Sequence, residues 1–316
     1  MPASQKTLKE LRRRARDKGV SFVRELNREQ LESYESKEPW SLGWRFKHIK
    51  PYVKNRGELR EVASILSHPI RDLTQYPKVT DFLKKHEVVT TMTTSPQRLK
   101  KLSAVLATLD PTNLTKIWLV LPDRYGSKKE KYDPKDIKKI KAFSPLVHVL
   151  RTKKDYGPLT EMLPVLRKLR DPKALAISID DDVAYPPGMV NEMIYQKVVK
   201  HPNAVIEGGR PFFKRGDIKD FRQLWPQKNK KRLPHTDLVE GWEGIVYYRK
   251  VADTKLMEKL ADLSKKCYLS DDLVISFVLA KQGVSRVAID NAYLFNPLPY
   301  EYGTGEDALH GGAGDG

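Results

Sequence analysis

The sequence contains a single cysteine, Cys267, in 316 residues. An intramolecular disulfide is therefore excluded, and so is a zinc site built from several cysteines. Long apolar runs are also missing. The longest, such as residues 273–280, are far too short to cross a bilayer, and the basic residues 1–16 are not followed by an apolar core. We expect a cytoplasmic protein without a transmembrane segment.

Acidic residues are outnumbered. The chain has 58 Lys and Arg against 40 Asp and Glu, which gives a formal charge of +18. A positive field of this kind attracts phosphate-bearing partners, among them nucleotides, nucleic acid and anionic membrane surfaces. The charge does not choose between these partners, and a solvated lysine-rich surface explains it equally well.

Residues 1–35 are predicted to form a small helical hairpin. Apolar residues recur at helical spacing on both sides of a turn at Gly19, and Asn27 is placed to cap the second helix. The stretch resembles SAP-like or Rho-N-terminal-like modules. Because such modules often bind nucleic acid, the resemblance implies nucleic acid as a partner of residues 1–35. A plain helical hairpin fits the same pattern.

The rest of the chain divides into a connector and a larger domain. Residues 36–83 mix aromatic, proline and basic residues without a sustained period, and we interpret them as a connector packing partly on the main domain. From residue 84 onward, strands alternate with helices, which predicts an α/β fold with a mostly parallel sheet covered on both faces. Strands are predicted at 88–92, 117–121, 147–150, 174–179 and 204–207, and helices at about 96–109, 159–169 and 186–199.

Three consecutive aspartates, Asp180 to Asp182, directly follow the predicted strand 174–179. In an open α/β sheet, ligands bind outside the carboxyl ends of the strands. Adjacent carboxylates repel each other unless a cation or hydrogen-bond donors neutralise them, and oxygen ligands favour Mg²⁺ or Mn²⁺. We therefore expect a divalent metal here. The alternative is an exposed acidic turn that caps the helix at Pro186.

Several separated motifs together resemble the GT-A fold glycosyltransferases, in particular the inverting, DxD-containing group found in chloroviruses and some bacteria. The resemblance covers roughly residues 84–312 and is carried by residues 88–99, 155–160, 179–187, 240–244, 269–273 and 307–310. It implies a Rossmann-like nucleotide-diphospho-sugar transferase domain at 84–316, with a mixed, mostly parallel sheet. It also implies that the protein is viral.

The resemblance also implies roles for individual residues. The residues expected to bind the donor nucleotide are Thr91, Thr93, Arg98, Tyr156, Asp180 and Asp181. The expected metal ligands are Asp182, Asp180 and His310. Many relatives place a lysine where this chain has Glu161, and an acid cannot contact a diphosphate favourably. Alternative sources of positive charge are Lys153, Lys154 and Arg210.

Two further segments are expected to act on the acceptor. By resemblance to inverting relatives, Asp272 is the general base and Asp271 the supporting acid; a charge at the positive end of a helix dipole is the plainer interpretation. Trp242 offers a flat apolar face for a sugar ring between two glycines, with Glu243 beside it. A tight turn with a core tryptophan explains the same pattern.

These features predict transfer of a hexose or deoxyhexose from a nucleoside-diphosphate sugar, with UDP as the expected nucleotide, to a hydroxyl of a glycan acceptor with inversion. Two other functions remain open. A nucleic-acid-binding protein explains the positive charge but not the aspartates, and a metal-dependent nucleotidyltransferase leaves Asp271 and Asp272 unexplained.

Overall fold

The computed structural model describes residues 7–17, 28–35, 40–53, 56–66, 68, 70–126, 128–208, 238–239, 241 and 244–289. Its α-helices are α1 (Leu8–Asp17), α2 (Arg28–Glu35), α3 (Leu42–Ile49), α4 (Arg56–Leu66), α5 (Pro77–Lys85), α6 (Leu102–Leu106), α7 (Pro134–Lys141), α8 (Leu163–Lys168), α9 (Met189–Tyr195), α10 (Thr254–Ala261), α11 (Lys265–Tyr268) and α12 (Asp271–Lys281). Its strands are β1 (Val88–Thr93), β2 (Lys116–Pro122), β3 (Val147–Thr152), β4 (Leu175–Ser178), β5 (Ala204–Glu207), β6 (Ile245–Tyr248) and β7 (Ser285–Ala288).

The strands form one seven-stranded sheet in the order β3-β2-β1-β4-β6-β5-β7. All pairings are parallel except those of β6, which runs antiparallel to β4 and β5. The predicted α/β class with a mixed, mostly parallel sheet is confirmed. All five predicted strands are present. Strands β6 and β7 were not predicted, although they are no shorter than β4 and β5.

Strand register brings the ends of several elements to one edge of the sheet. Thr91 in β1 pairs with Ser178 in β4, and Ser178 also pairs with Ile245 at the start of antiparallel β6. Both β4 and β5 are buried throughout, as expected of apolar strands covered on both faces. The residues after β1 and β4, and those before β6, therefore meet at this edge.

Three predicted helices of the main domain, at 96–109, 159–169 and 186–199, are shorter than expected. Each predicted span is divided between an α-helix and a 3-10 or π turn: residues 98–100 precede α6, residues 157–161 precede α8, and residues 196–200 follow α9. In the last case the buried Lys197 side chain reaches out of the helix to the carbonyls of Pro202 and Ala204. In this helix, the bonds of a buried side chain to carbonyls beyond the helix end accompany the π turn.

The N-terminal half is more helical than the sequence indicated. Helices α1 and α2 lie where the hairpin was predicted, with Leu11, Ala15 and Leu31 buried, while Asn27 lies outside the described residues. The connector also contains α3, α4 and α5, which were not predicted. Buried Arg45 in α3 donates to the carbonyls of residues 107, 108 and 109, so this segment is tied to the main domain.

None of the helices in the described part of the chain combines the length and apolar character needed to span a membrane.

Gly157 opens the 3-10 turn at 157–161 with a left-handed backbone, φ +63°. A Cβ atom there would lie 2.4 Å from the Tyr268 carbonyl oxygen, a separation that real Cβ atoms do not adopt. Gly283, with φ +65°, has no atom within 4 Å of its Cβ position. The two glycines share a backbone conformation and differ in the space around them.

We expect Gly157→Ala to lower the free energy of unfolding by about 3 kcal/mol or more, because a clash with backbone is added to left-handed strain. Gly283→Ala should cost only about 1–2 kcal/mol, the strain alone. Urea unfolding of both variants measures the difference. Equal losses in the two variants would show that the turn at Gly157 relaxes away from Tyr268.

Candidate active site

The three aspartates leave the sheet at the end of β4. The Ile179 N–H bonds to the Thr91 carbonyl at 3.0 Å, which continues the alignment of β1 and β4 by one residue. The Asp180 N–H then donates to the hydroxyl of fully buried Tyr185 at 2.9 Å. Asp181 is buried, whereas Asp180 and Asp182 are partly accessible. Backbone pairing and Tyr185 therefore determine where the aspartates turn outward.

Arg98 is the cation beside these aspartates. Its Nη1 atom donates to Asp181 and, at 3.0 Å, to Asp182 Oδ2. The Ser95 hydroxyl accepts the Arg98 N–H at 3.1 Å and starts the turn that presents the guanidinium. Sequence reasoning placed Arg98 near a nucleotide. In the structure its described partners are carboxylates of the same cluster.

The hydroxyl groups of Thr91 and Thr93 bond to backbone carbonyls of neighbouring segments. The Thr91 hydroxyl donates to the Glu161 carbonyl, and the Thr93 hydroxyl donates to the Val120 carbonyl at 2.9 Å. Thr91 is fully buried. Both hydroxyls thus join β1 to its neighbours, and Thr91 brings the 157–161 turn to the aspartate edge. Their expected contact with a nucleotide stays a prediction.

Tyr156 lies against α8 and α10. Its hydroxyl accepts from Arg167 at 3.2 Å, and the Lys154 ammonium lies 5.0 Å from its ring centroid. Lys154 is in turn paired with Asp262 at 2.6 Å and with Glu258 at 3.5 Å. These contacts of Tyr156 and Lys154 lead to α8 and to the C-terminal end of α10, while Lys153 is exposed and Arg210 lies outside the described residues.

Glu161 belongs to the acidic cluster and is itself buried, with 5% of its surface exposed. Burial, followed by the nearby charges of Asp271, Asp180 and Asp272, raises the pKa of Glu161 well above its usual value. Its side chain thus favours the neutral carboxylic acid. A neutral carboxylic acid does not repel a diphosphate as the anion would, so Glu161 in this form opposes a diphosphate less than was expected.

Asp271 and Asp272 form the first turn of α12, as predicted. Asp272 Oδ1 accepts the Gly241 N–H at 2.7 Å, and a Cβ at Gly241 would lie only 3.3 Å from that oxygen. Burial raises the pKa of Asp271 to about 6. This second pair of carboxylates faces Glu161 and Asp180, so the two acidic motifs adjoin in space although they lie far apart in sequence.

The cluster contains more carboxyl groups than cations. Burial, then the charges of Asp182, Asp271 and Asp181, raises the pKa of Asp180, and burial raises that of Asp181 to about 6 although Arg98 opposes the shift. A hard divalent cation fits such a set of oxygen donors. Within the described residues, no three His, Cys, Asp or Glu side chains are grouped closely enough to hold a metal. The expected ligand His310 lies outside them, as do Trp242 and Glu243.

Two tyrosines were missed by sequence reasoning. Tyr185 supports Asp180, as described above; the motif 179–187 contains it, but nothing in the pattern indicated this bond. Burial raises the pKa of Tyr125 to about 12, and Arg98 and Asp181 lie close enough to influence it. Tyr125 follows β2 in a loop without a motif. Only the folded chain shows that it borders the cluster.

The metal-free protein should gain stability as the pH falls from 8 to about 6. The raised pKa values of Asp181 and Asp271, both about 6, mean that the folded state binds protons there while the unfolded state, with ordinary pKa values, does not. That stabilisation is lost as the pH rises through 6. Thermal melting in EDTA should show a melting temperature about 2 °C higher at pH 6 than at pH 8.

Glu161→Gln is the matched variant for this prediction. It removes one member of the cluster with little change of shape, so it should raise the melting temperature at pH 8 and flatten the pH dependence. A wild-type melting temperature that is lower at pH 6 than at pH 8 would contradict the expectation.

Comparison with known proteins gives limited similarity. No protein-family model and no curated protein matches the chain. Among solved structures, it is similar to mannosyltransferase PcManGT from Pyrobaculum calidifontis in complex with GDP-Man and Mn²⁺: the TM-score is 0.43 at 14% identity, covering 79% of this chain and 64% of that one. It is also similar to GalNAc-T7 with UDP, GalNAc and Mn²⁺: TM-score 0.42 at 14% identity, covering 81% and 53%.

This chain therefore spans less than two thirds of the length of either structure. The fold class of this chain is therefore argued from its strand order, and its function from the acidic cluster.

Proposed function

We propose that this protein is a metal-dependent, inverting glycosyltransferase of GT-A type, with its transferase domain at residues 84–316. It would move a hexosyl or deoxyhexosyl group from a nucleoside-diphosphate sugar, with UDP as the expected nucleotide, to a hydroxyl of a glycan. The observation that carries the proposal is the meeting of two acidic motifs at one sheet edge, Asp180–Asp182 after β4 and Asp271–Asp272 at the start of α12.

The first motif is assigned to the donor. Asp180 and Asp182, with His310, would hold Mn²⁺ or Mg²⁺, which when bound would neutralise charge on the leaving diphosphate. Arg98 orients Asp181 and Asp182 through its guanidinium and keeps a positive charge at the same place. Thr91, Thr93 and Tyr156 are proposed donor-site residues on the strength of the motif resemblance alone.

The second motif is assigned to the acceptor. Asp272 would accept the proton of the acceptor hydroxyl as its oxygen forms a bond to the anomeric carbon, while the bond from that carbon to the diphosphate oxygen breaks on the opposite face. The Gly241 N–H holds one oxygen of Asp272 in place. Asp271 would support it as a neighbouring acid, and Trp242 and Glu243 would contact the acceptor sugar.

The test is an assay of nucleoside diphosphate release. Purified protein is incubated with Mn²⁺ or Mg²⁺ and a panel of UDP-, GDP- and dTDP-sugars, with the chelated protein as control. Metal-dependent release from one donor supports the proposal and names the nucleotide. Release of free diphosphate would identify a nucleotidyltransferase instead. No release and no metal-dependent nucleotide binding across the panel would overturn it.

We also propose that residues 1–35 form a module that binds nucleic acid. Helix α1 is strongly basic, and its residues Arg13 and Arg14 are exposed. Salt-dependent retention of the full chain on duplex DNA, lost when both arginines are replaced by glutamine, would support this partner.

A further inference from the structure

Asp155 lies between β3 and the 157–161 turn, and its carboxylate accepts several hydrogen bonds. Oδ1 accepts from the Gly157 N–H at 2.9 Å and from the Thr160 hydroxyl at 3.2 Å. Oδ2 accepts from the Gly126 N–H at 2.7 Å. Two of these donors belong to its own turn, but the third belongs to the loop after β2. A single side chain thus joins two segments that approach the acidic cluster.

A fourth donor lies near the same carboxylate, on the other side of the site. Burial, followed by the charge of the nearby Asp155 carboxylate, raises the pKa of the Tyr268 hydroxyl, so this hydroxyl stays protonated and can donate to Asp155. Tyr268 ends α11, three residues before Asp271. Its carbonyl oxygen also lies against Gly157, where no side chain fits. The position of the α11–α12 junction is therefore set by contacts with residues 155–157.

The loop on the opposite side contains Tyr125, which borders the donor end of the cluster. Tyr125 immediately precedes Gly126 and lies near Arg98 and Asp181. Asp155 consequently contacts the segment beside Asp180–Asp182 and the segment that leads into Asp271–Asp272. A carboxylate suits this position, because its two oxygens have enough acceptor sites for four donors at once.

We propose that Asp155 is a positioning residue that sets the separation between the donor aspartates and the Asp271–Asp272 pair by binding Gly126 on one side and Tyr268 on the other. The inference rests on the proposed function for its effect on turnover, whereas the connection made by Asp155 is independent of that function. The proposed function assigns Asp155 no contact of its own with the donor, the acceptor or the metal, so Asp155 acts through the two segments it joins.

The experiment compares Asp155→Asn, Tyr268→Phe and the double variant in the full chain. Asparagine keeps one acceptor oxygen but replaces the other with an NH₂ group, which cannot accept a hydrogen bond, so the side chain can no longer serve donors on both sides. Phenylalanine removes only the hydroxyl of Tyr268. Asp123→Asn is the matched control, because Asp123 is an exposed aspartate at the end of β2 that pairs with Arg151.

We expect kcat for sugar transfer to fall about 10- to 100-fold in Asp155→Asn, as small displacements of reacting groups do, while KM for the donor changes less than about twofold. Tyr268→Phe should lower kcat in the same direction, and the double variant should match Asp155→Asn because both changes break the same connection. A rise in KM with unchanged kcat, or losses that multiply in the double variant, would overturn the inference.

Hydrogen–deuterium exchange separates this inference from the proposed function. Asp155→Asn should speed amide exchange both at residues 125–126 and at residues 268–272, whether or not the protein transfers sugar. Unchanged exchange in either segment would refute the coupling even if activity fell. Wild-type protein without any donor turnover would refute the proposed function and leave the exchange result to decide the structural claim.

Discussion

Asp182→Asn is expected to lower metal-dependent nucleoside diphosphate release roughly 100- to 1,000-fold. Asn preserves the shape of the side chain and can still accept from Arg98, so folding should survive. It removes the negative charge that a hard cation requires, and Asp182 is partly accessible, with 19% of its side chain exposed, so a ligand can reach it. The loss should therefore be one of metal binding and turnover.

Two measurements check this prediction. Mn²⁺ should raise the melting temperature of the wild-type protein and leave that of Asp182→Asn nearly unchanged, because ligands stabilise only the state that binds them. Donor turnover should fall in parallel, while Asp123→Asn behaves like wild type. Full activity with full metal stabilisation in Asp182→Asn would show that the cluster is a structural acidic turn.

Asp272→Asn is expected to lower kcat for transfer about 100- to 10,000-fold, the range in which a general base contributes. The asparagine oxygen can still accept the Gly241 N–H, so the start of α12 should keep its position. Metal-dependent binding of the nucleoside diphosphate should be unchanged, since the donor aspartates are intact. The variant therefore separates loss of chemistry from loss of donor binding.

Asp271→Asn is the informative partner of this variant. If Asp272 is the base and Asp271 its support, the Asp271 substitution should cost less activity. Calorimetric titration with nucleoside diphosphate and Mn²⁺, together with initial rates, measures both parts. A larger loss in Asp271→Asn would reassign the base to Asp271, and wild-type rates in both variants would exclude this pair from the chemistry.

Much of the candidate site could be predicted because its acidic residues are adjacent in sequence. Three aspartates after an apolar run indicate a strand end, and two acids after Ser270 indicate a helix start, both of which the structure bears out. Arg98 was also singled out, although its partners were not. Nothing local indicated that Glu161 is buried among the carboxylates, because the burial of a side chain depends on what packs over it.

The helices of residues 36–83 were missed for a related reason. Arg45 and the tryptophans obscured the apolar periodicity of α3, although Arg45 is buried and is satisfied by three carbonyls of the main domain. A buried arginine is unexpected from local pattern alone and is stable only when distant acceptors meet it.

The sequence by itself determined the alternation of strands and helices, the acidic strand end and the acidic helix start, because hydrophobic periodicity and adjacent charges are local properties. Only the tertiary structure decided that Asp180 and Asp271 share one cluster, and that Asp155 joins the Tyr125 loop to the 157–161 turn. These contacts depend on strand order and on how turns close over the sheet edge. Both depend on packing between segments that lie far apart in the chain.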